Sequence, residues 1–569
     1  MDRNFVLACA LSLAVLVGWI YLTGGPAPEK KSGEIPPIQS QPIDSIGDPL
    51  RDAAPGPTAP QPARAAAPAL PAAASRPDRI ELEERRIPIE ARLYSVELTN
   101  RGAGISSWKL KEFRETSDRA APVIDLATAG AAGKPAFATP FSELAAGDLS
   151  DRVFEVVSED ISSVSFETRE NGVTIRKTFS FELDSYAFRL LIEVLNDSTA
   201  ALATRFQIDI PAREKDADDF REQALAALED GNRVNTPVKG LGRAGFFQSM
   251  MGRRAEQYED YPGLIDWAGV QTTYFLTAIL PDNPSQANVR IATLEPGVLG
   301  ATQLWFDETV IPAGRSIARE FRGYMGPKEM ERLEVFGGET VHAIDLGWSW
   351  VEPLTRFFSL FLKMLYSIVP NYGIAIIILT ILVRIVTAPL TVKQMRSMER
   401  MRALAPKLKE IKEEFADDRQ KQSEKTMALY KSEGVNPLGG CLPMLLQFPV
   451  FIGLFYALRS TIQLRQAPFF GWINDLSVPE TLFEIPGIGL PFRVLPLIMG
   501  ATMVFQQRIT PMQADPAQAK MMMTVMPVMM TLIFYQFPSG LVLYWMVSNV
   551  LAIAHQLWIG RGIRAKEPS

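Results

Sequence analysis

The residue with the most chemistry to account for is an arginine set deep in an apolar run. Arg384 lies in the stretch 372–390, twelve residues after Tyr372 and six before Leu390, which is roughly 18 Å and 9 Å along a helix. A guanidinium at that depth costs on the order of 3 kcal/mol on insertion scales, and it either faces a wet cavity or snorkels to the nearer interface. Thr380, Arg384, Thr387 and Thr391 fall at i, i+4, i+7 and i+11, a polar stripe on an otherwise Ile/Leu-rich helix. An isolated snorkelling charge needs no such company, so the stripe favours a hydrated recess. A cation held there would lower the cost of admitting an acidic stretch of another chain.

Other apolar runs repeat the pattern. In 541–558, Trp545, Asn549, Ala552 and Gln556 share a face with Ser548 beside it, while Gln447 lies in 439–458 and Gln507 ends 490–507. Polar groups from several helices could enclose one recess, although hydrogen bonds between helices would also account for the Asn and Gln residues. Of 21 methionines, 16 lie from Met364 onward. Unbranched, polarizable side chains suit a surface that accepts varied apolar partners, and equally serve as lipid-facing filler.

Bond-making chemistry finds no candidates. No G-x-x-x-x-G-K-[ST] occurs, and the single Gly-Lys pair, Gly133-Lys134, precedes Pro135, so no P-loop is present to hydrolyse nucleotide. Gly347-Trp348-Ser349-Trp350-Val351 lacks the second glycine of a nucleophile elbow. Ser548 and His555 are seven residues apart, about 10 Å of helical rise, too far for a dyad. Cys9 and Cys441 both sit in apolar stretches, and only His342 and His555 could assist them. We therefore expect no catalytic residues, no metal and no cofactor.

The elements that must position the recess are membrane spans. Residues 1–22 read as an uncleaved anchor: Pro26 and Pro28 follow the plausible cut points of a signal peptide, and too little apolar sequence precedes Cys9 for a lipoprotein site. Residues 23–78 hold 13 of the 42 prolines and read as a disordered tether. Across 79–340 the period is two, as in Leu93–Leu98, Thr178–Leu183 and Phe188–Val194, with turns such as Asn171-Gly172; this predicts a large antiparallel β-sandwich. A helical insertion is expected over 216–229 and a closing helix over 328–336. No histidine occurs in that domain before His342, which argues against an epimerase or lyase needing a base near neutral pH. Trp108, Trp267 and Trp305 could line a groove but suit a core better. Residues 347–369 divide into an apolar face (Leu354, Phe357, Phe358, Phe361, Leu365) and a polar one (Arg356, Ser359, Lys363, Ser367), the pattern of an interfacial helix. Spans are then expected at 372–390, 439–458, 490–507, 521–537 and 541–558, the one ending at Gln507 short unless 490–493 joins its helix.

Lys/Arg asymmetry orients them. Counted over the short connections, eleven basic residues lie in 391–435, and with Arg3, Arg508, Lys520 and the three in the tail 559–569 they face only Arg459, Arg465 and Arg493 on the opposite side. Both termini and 391–435 are therefore expected in the cytoplasm and the acidic β domain outside. Within 391–435, Met401, Leu404, Leu408, Ile411 and Phe415 form a seam with Asp417-Asp418 at a bend. A solvated helical hairpin suffices to explain this; a basic one beneath a membrane also offers a surface to a ribosome or a targeting receptor.

Asn436-Pro437-Leu438-Gly439-Gly440-Cys441-Leu442-Pro443, Gln447-Phe448-Pro449, Leu464-Arg465-Gln466-Ala467-Pro468-Phe469 and Phe537-Pro538-Ser539-Gly540-Leu541-Val542-Leu543-Tyr544-Trp545 resemble the YidC/Oxa/Alb family of membrane protein insertases, in its Gram-negative form with a large periplasmic domain. The resemblance implies a polytopic α-helical protein of the inner membrane with six spans, five of them an insertase core, joined to a periplasmic β-sandwich. It implies a cytoplasm-open hydrophilic groove containing Arg384, with Thr380 and Trp545 at substrate-contacting positions, the family often having tyrosine at the latter. The groove set is then Arg384, Thr380, Gln447, Gln507, Trp545 and Asn549. The implied partners are nascent membrane proteins, the Sec translocon, the lipid bilayer and, through the hairpin, the ribosome and the signal recognition particle receptor, with no sequence-specific nucleic acid. A secondary transporter would also use an intramembrane arginine, and a tethered carbohydrate- or peptide-binding protein would explain the β domain; the first usually shows repeated halves, and the second leaves the Arg384 stripe without a purpose.

Overall fold

The computed structural model describes residues 83–118, 120–127, 134–142, 148–214, 222–243, 257–416, 418–435, 442–487, 489–509 and 516–564. The expected anchor and tether lie outside them, as does the Asn436–Cys441 part of the sequence resemblance.

Alternating burial builds the first part of the chain. Nine antiparallel strands form one sheet in the order Asn232–Pro237, Ala224–Glu229, Ile265–Gln271, Phe275–Leu280, Ser316–Pro327, Ala187–Asn196, Val173–Phe181, Ser163–Glu170, Glu155–Glu159. Gln207–Arg213, Leu299–Phe306, Ala287–Glu295 and Tyr258–Pro262 form a second sheet. The two meet face to face, and the Thr302 hydroxyl donates across to the Gly269 carbonyl at 2.7 Å. A third sheet, from Arg86–Glu90 to Val123–Asp125, adds Trp108, which is fully buried and stacked on Tyr94 at 4.0 Å. Trp267 is also fully buried, so both tryptophans are core.

The helix expected over 216–229 is corrected here: Ala224–Glu229 is a strand paired on both edges, with Asn232–Pro237 and Ile265–Gln271. Its Ala/Leu composition favours a helix in isolation. Asp230 and Gly231, at φ 49° and 73°, instead make the tight turn of a hairpin, as Asn171 and Gly172 do at 51° and 76°.

Helix α1 (Met330–Phe336) closes the β domain, and α2 (Glu352–Ile368) follows. The two-faced reading of α2 needs amendment, because its apolar half splits in two. Phe358, Leu362 and Leu365 are buried against neighbouring helices, whereas Phe357, Leu360, Met364 and Ile368 form an exposed apolar stripe. Its charged side ties to α1: Lys363 Nζ donates to Glu331 at 2.6 Å, and Arg356 lies 2.9 Å from Glu352 and 3.5 Å from Glu334.

Helix α3 (Tyr372–Ala403) carries the 372–390 run onward without a break. Helices α4 (Ala405–Glu414) and α5 (Arg419–Ser432) form a hairpin, with Leu404 buried, Met401, Leu408, Ile411 and Phe415 half-buried, and Lys407 donating to Glu433 at 2.6 Å. Helices α6 (Leu442–Ser460), α7 (Val494–Ile509), α8 (Pro516–Phe534) and α9 (Ser539–Arg564) complete the described set. Residues 490–493 do not lengthen α7, since Pro491–Phe492 pairs with Phe483–Glu484 instead. Helix α9 packs against α7, α3 and α6, and α2 against α6 and α3. Tyr372–Pro389 and Ser539–Trp558 are long and apolar enough to cross a membrane; Val494–Ile509 and Met523–Phe534 are apolar and shorter.

Two lysines are fully buried in the β domain. Lys177 Nζ donates to the carbonyls of Phe137 at 2.8 Å and Gly102 at 3.3 Å, and Lys328 Nζ donates to Gln271 Oε1 at 2.6 Å and the Ala343 carbonyl at 2.9 Å. Burial pushes both ammonium groups down from 10.5 to about 7. Between those values the unfolded chain holds a proton that the folded domain lacks, so stability rises with pH across the window and stays at its lower level below it. Lys177→Met should flatten the pH dependence of the domain's melting transition between roughly pH 7 and 10 by about one proton's worth of slope. An unchanged slope would mean that Lys177 keeps its proton when buried.

Candidate functional site

Arg384 projects from α3 toward α9, and both its Nε and an Nη donate to one oxygen, Ser548 Oγ, at 3.1 and 2.6 Å. Among the described residues no carboxylate pairs with it. Tyr544, one turn before Ser548 on α9, is buried with Arg384, Ser548 and Gln447 of α6 in its surroundings. The guanidinium is thus held by a neutral oxygen of the neighbouring helix. Its charge is solvated by dipoles and left uncancelled.

The stripe on α3 is built differently from a hydrated lining. Thr380 Oγ1 donates to the Ile376 carbonyl at 2.6 Å, Thr387 to Val383 at 2.9 Å and Thr391 to Thr387 at 3.2 Å. Each hydroxyl is satisfied four residues back on its own helix. Thr380 is 1% exposed, buried in the bundle with its hydroxyl bonded inside α3 and not to Arg384. Helix geometry explains the arrangement: an i−4 bond lets a threonine sit inside an apolar bundle without an orphaned donor.

On the next face of α9, buried Asn549 donates through Nδ2 to Thr502 Oγ1 on α7 at 3.3 Å, fastening those helices together. Trp545 is half-buried between Phe451 of α6, edge-on at 4.8 Å, and Phe534 of α8 at 4.9 Å. It joins an aromatic cluster instead of bonding to Arg384. Gln507, half-buried near the end of α7, has an Oε1 sealed from solvent with no donor. The structure therefore bonds Arg384 to Ser548, sets Tyr544 between Arg384 and Gln447, places Asn549 on the next face of α9, and leaves Thr380, Trp545 and Gln507 in separate surroundings.

Sequence reasoning left Ser548 and Tyr544 out of the groove set. The i, i+4 spacing of Tyr544 and Ser548 on the polar face of α9 was the available signal. Among the described residues, no group of three or more His, Cys, Asp or Glu side chains is placed to hold a metal ion.

Removing the Ser548 acceptor strands two charged donors. Ser548→Ala should destabilise the helical part by about 1 kcal/mol in detergent, and a cycle with Arg384→Ala should show coupling of similar size. Strictly additive losses would mean that the bond contributes nothing to packing.

Residues 86–359 match the family described as YidC periplasmic domain, and residues 364–566 the family described as 60Kd inner membrane protein. A membrane protein insertase YidC of Pelobacter propionicus is 35% identical, with 99% of each chain covered. The one of Geobacter metallireducens is 34% identical, with 100% of each covered. Among solved structures, an active YidC insertase with its first transmembrane domain resolved aligns over 83% of this chain and 92% of its own, at 16% identity and a TM-score of 0.35. A galactose mutarotase-like protein of Lactobacillus casei aligns over 42% of this chain and 100% of its own, at 13% identity and a TM-score of 0.30.

Proposed function

The chain belongs to the YidC family of membrane protein insertases, and on that premise we propose that Arg384 and the polar groups around it form the groove through which this insertase admits the polar flank of a nascent membrane protein. Its setting is the bacterial inner membrane, with the β domain in the periplasm. The observation that carries the reading is an arginine deep in the bundle with two donors on a serine hydroxyl and no carboxylate partner among the described residues. A structural ion pair would have cancelled that charge; a cation kept uncancelled is available to something that arrives.

In this reading the spans number six, both termini lie in the cytoplasm, and the groove opens to the cytoplasm. An entering acidic flank meets the guanidinium in a medium where screening is weak and attraction at a few ångströms is worth several kcal/mol. Ser548 holds the guanidinium in place with Tyr544 beside it, and Asn549 with Thr502 keeps α9 against α7. The apolar segment of the client then leaves past α3 and α7 into lipid, where burial supplies about 25 cal/mol per Å² of apolar area. No nucleotide hydrolysis is required. Thr380, Trp545 and Gln507 act one layer out, as parts of the walls. The basic hairpin of α4 and α5 supplies the cytoplasmic surface for the ribosome and the signal recognition particle receptor, and the Sec translocon works beside the insertase on larger clients.

Charge at position 384 tests the mechanism. Arg384→Lys should keep most insertion activity, Arg384→Ala should lose it chiefly for clients with acidic translocated tails, and Arg384→Glu should be worst for those clients. The readout is protease protection of such tails in vesicles carrying each variant. Tolerance of alanine by every client, acidic-tailed ones included, would overturn electrostatic attraction as the mechanism.

A further inference from the structure

The connection between α6 and α7 presents an apolar surface that no described residue covers. Phe483–Glu484 and Pro491–Phe492 pair as a short ribbon, with the Phe483 and Phe492 rings stacked at 5.0 Å. Gly487 and Gly489, at φ 86° and 68°, turn the chain at its tip. Leu482, Phe483 and Leu490 are 44, 50 and 57% exposed, and Glu484 is the single charge between Thr481 and Phe492. Connections that face water are ordinarily polar.

The base of the ribbon is firmly held. Buried Glu480 accepts from Trp472 Nε1 at 2.7 Å and from the Leu495 amide at 2.6 Å. The Tyr535 hydroxyl donates to the Pro491 carbonyl, tying the ribbon to the end of α8. Arg493 donates to the Tyr535 carbonyl and lies over that ring at 5.0 Å, and its Nε is sealed from solvent without an acceptor. On the two helices that the ribbon's base joins, Leu497 and Ile498 of α7 and Val528, Leu532 and Ile533 of α8 are exposed as well. An apolar loop joined to lipid-facing helix surfaces, with a fixed cation at its root, matches acyl chains below and phosphates above.

We propose that this ribbon is a second interfacial anchor that inserts into the phospholipid leaflet on the periplasmic side, with Leu482, Phe483 and Leu490 at the headgroup–acyl boundary and Arg493 at phosphate depth. It rests on the reading of α7 and α8 as membrane spans. Its consequence is that the outer ends of the two helices are fixed in depth.

The test uses the full chain with Cys9 and Cys441 replaced by serine, a single cysteine from Leu490→Cys or Leu482→Cys carrying an environment-sensitive fluorophore, and vesicles of phosphatidylethanolamine and phosphatidylglycerol. Quenching should be several-fold stronger from lipids spin-labelled near the ester carbonyl than from lipids labelled at the chain terminus, with protection from aqueous iodide. Quenching by iodide alone would place the ribbon in water and overturn the proposal. Shielding from both quenchers would do the same by assigning the surface to a protein partner or a second copy. A fluorophore at Val528→Cys separates the premises: if it too escapes chain-terminus quenching, the span reading of α8 falls, whereas failure at 482 and 490 alone removes only the anchor.

Discussion

A guanidinium inside an apolar helix bundle has to be neutralised by a partner, solvated by dipoles or pulled to an interface. The bundle adopts the second solution at Arg384, and much of its packing serves that choice. Serine supplies a hydroxyl oxygen from α9 without cancelling the cation. That bond demands that α3 and α9 keep their relative rotation. The Asn549–Thr502 bond and the Phe451–Trp545–Phe534 cluster hold α9 in turn against α7, α6 and α8.

The β domain is joined to the helical part by more than its chain connection. Glu331 and Glu334 of α1 hold Lys363 and Arg356 of α2, while Gln466, in the connection after α6, donates to the Arg114 carbonyl at 2.7 Å. Exposed ion pairs contribute little singly, so two separated points of attachment matter more than either bond. Gly373 shows how closely the loop packs: a Cβ there would lie 2.0 Å from the Phe469 ring. The first turn of α3 is thereby seated against the connection that follows α6.

Much of this was legible in the sequence where a single element carries the signal. The Arg384 stripe, the hairpin seam from Met401 to Phe415 and the Asn171-Gly172 turn are all local periodicities or local turn chemistry. The Ser548 contact was not, because it depends on the register of two helices whose bonded residues are 164 positions apart. The third face of α2 escaped for a different reason: a helical wheel separates polar from apolar, but an apolar residue facing lipid and one facing protein are the same letter. Over Ala224–Glu229 helix propensity pointed the wrong way, and the Asp230-Gly231 turn, read with equal weight, would have corrected it.

The unbroken run of α3 has a mechanical side. Its 32 residues make a rod about 48 Å long, with Arg384 partway along and the α4–α5 hairpin at its far end. Pro389 removes one rung of the hydrogen-bond ladder, since it has no N–H to offer the Ile385 carbonyl. A lever with one softened section flexes there first. Arg384 lies on the Tyr372 side of the missing rung, so its bond to α9 is separated from the hairpin by the softest point of the rod.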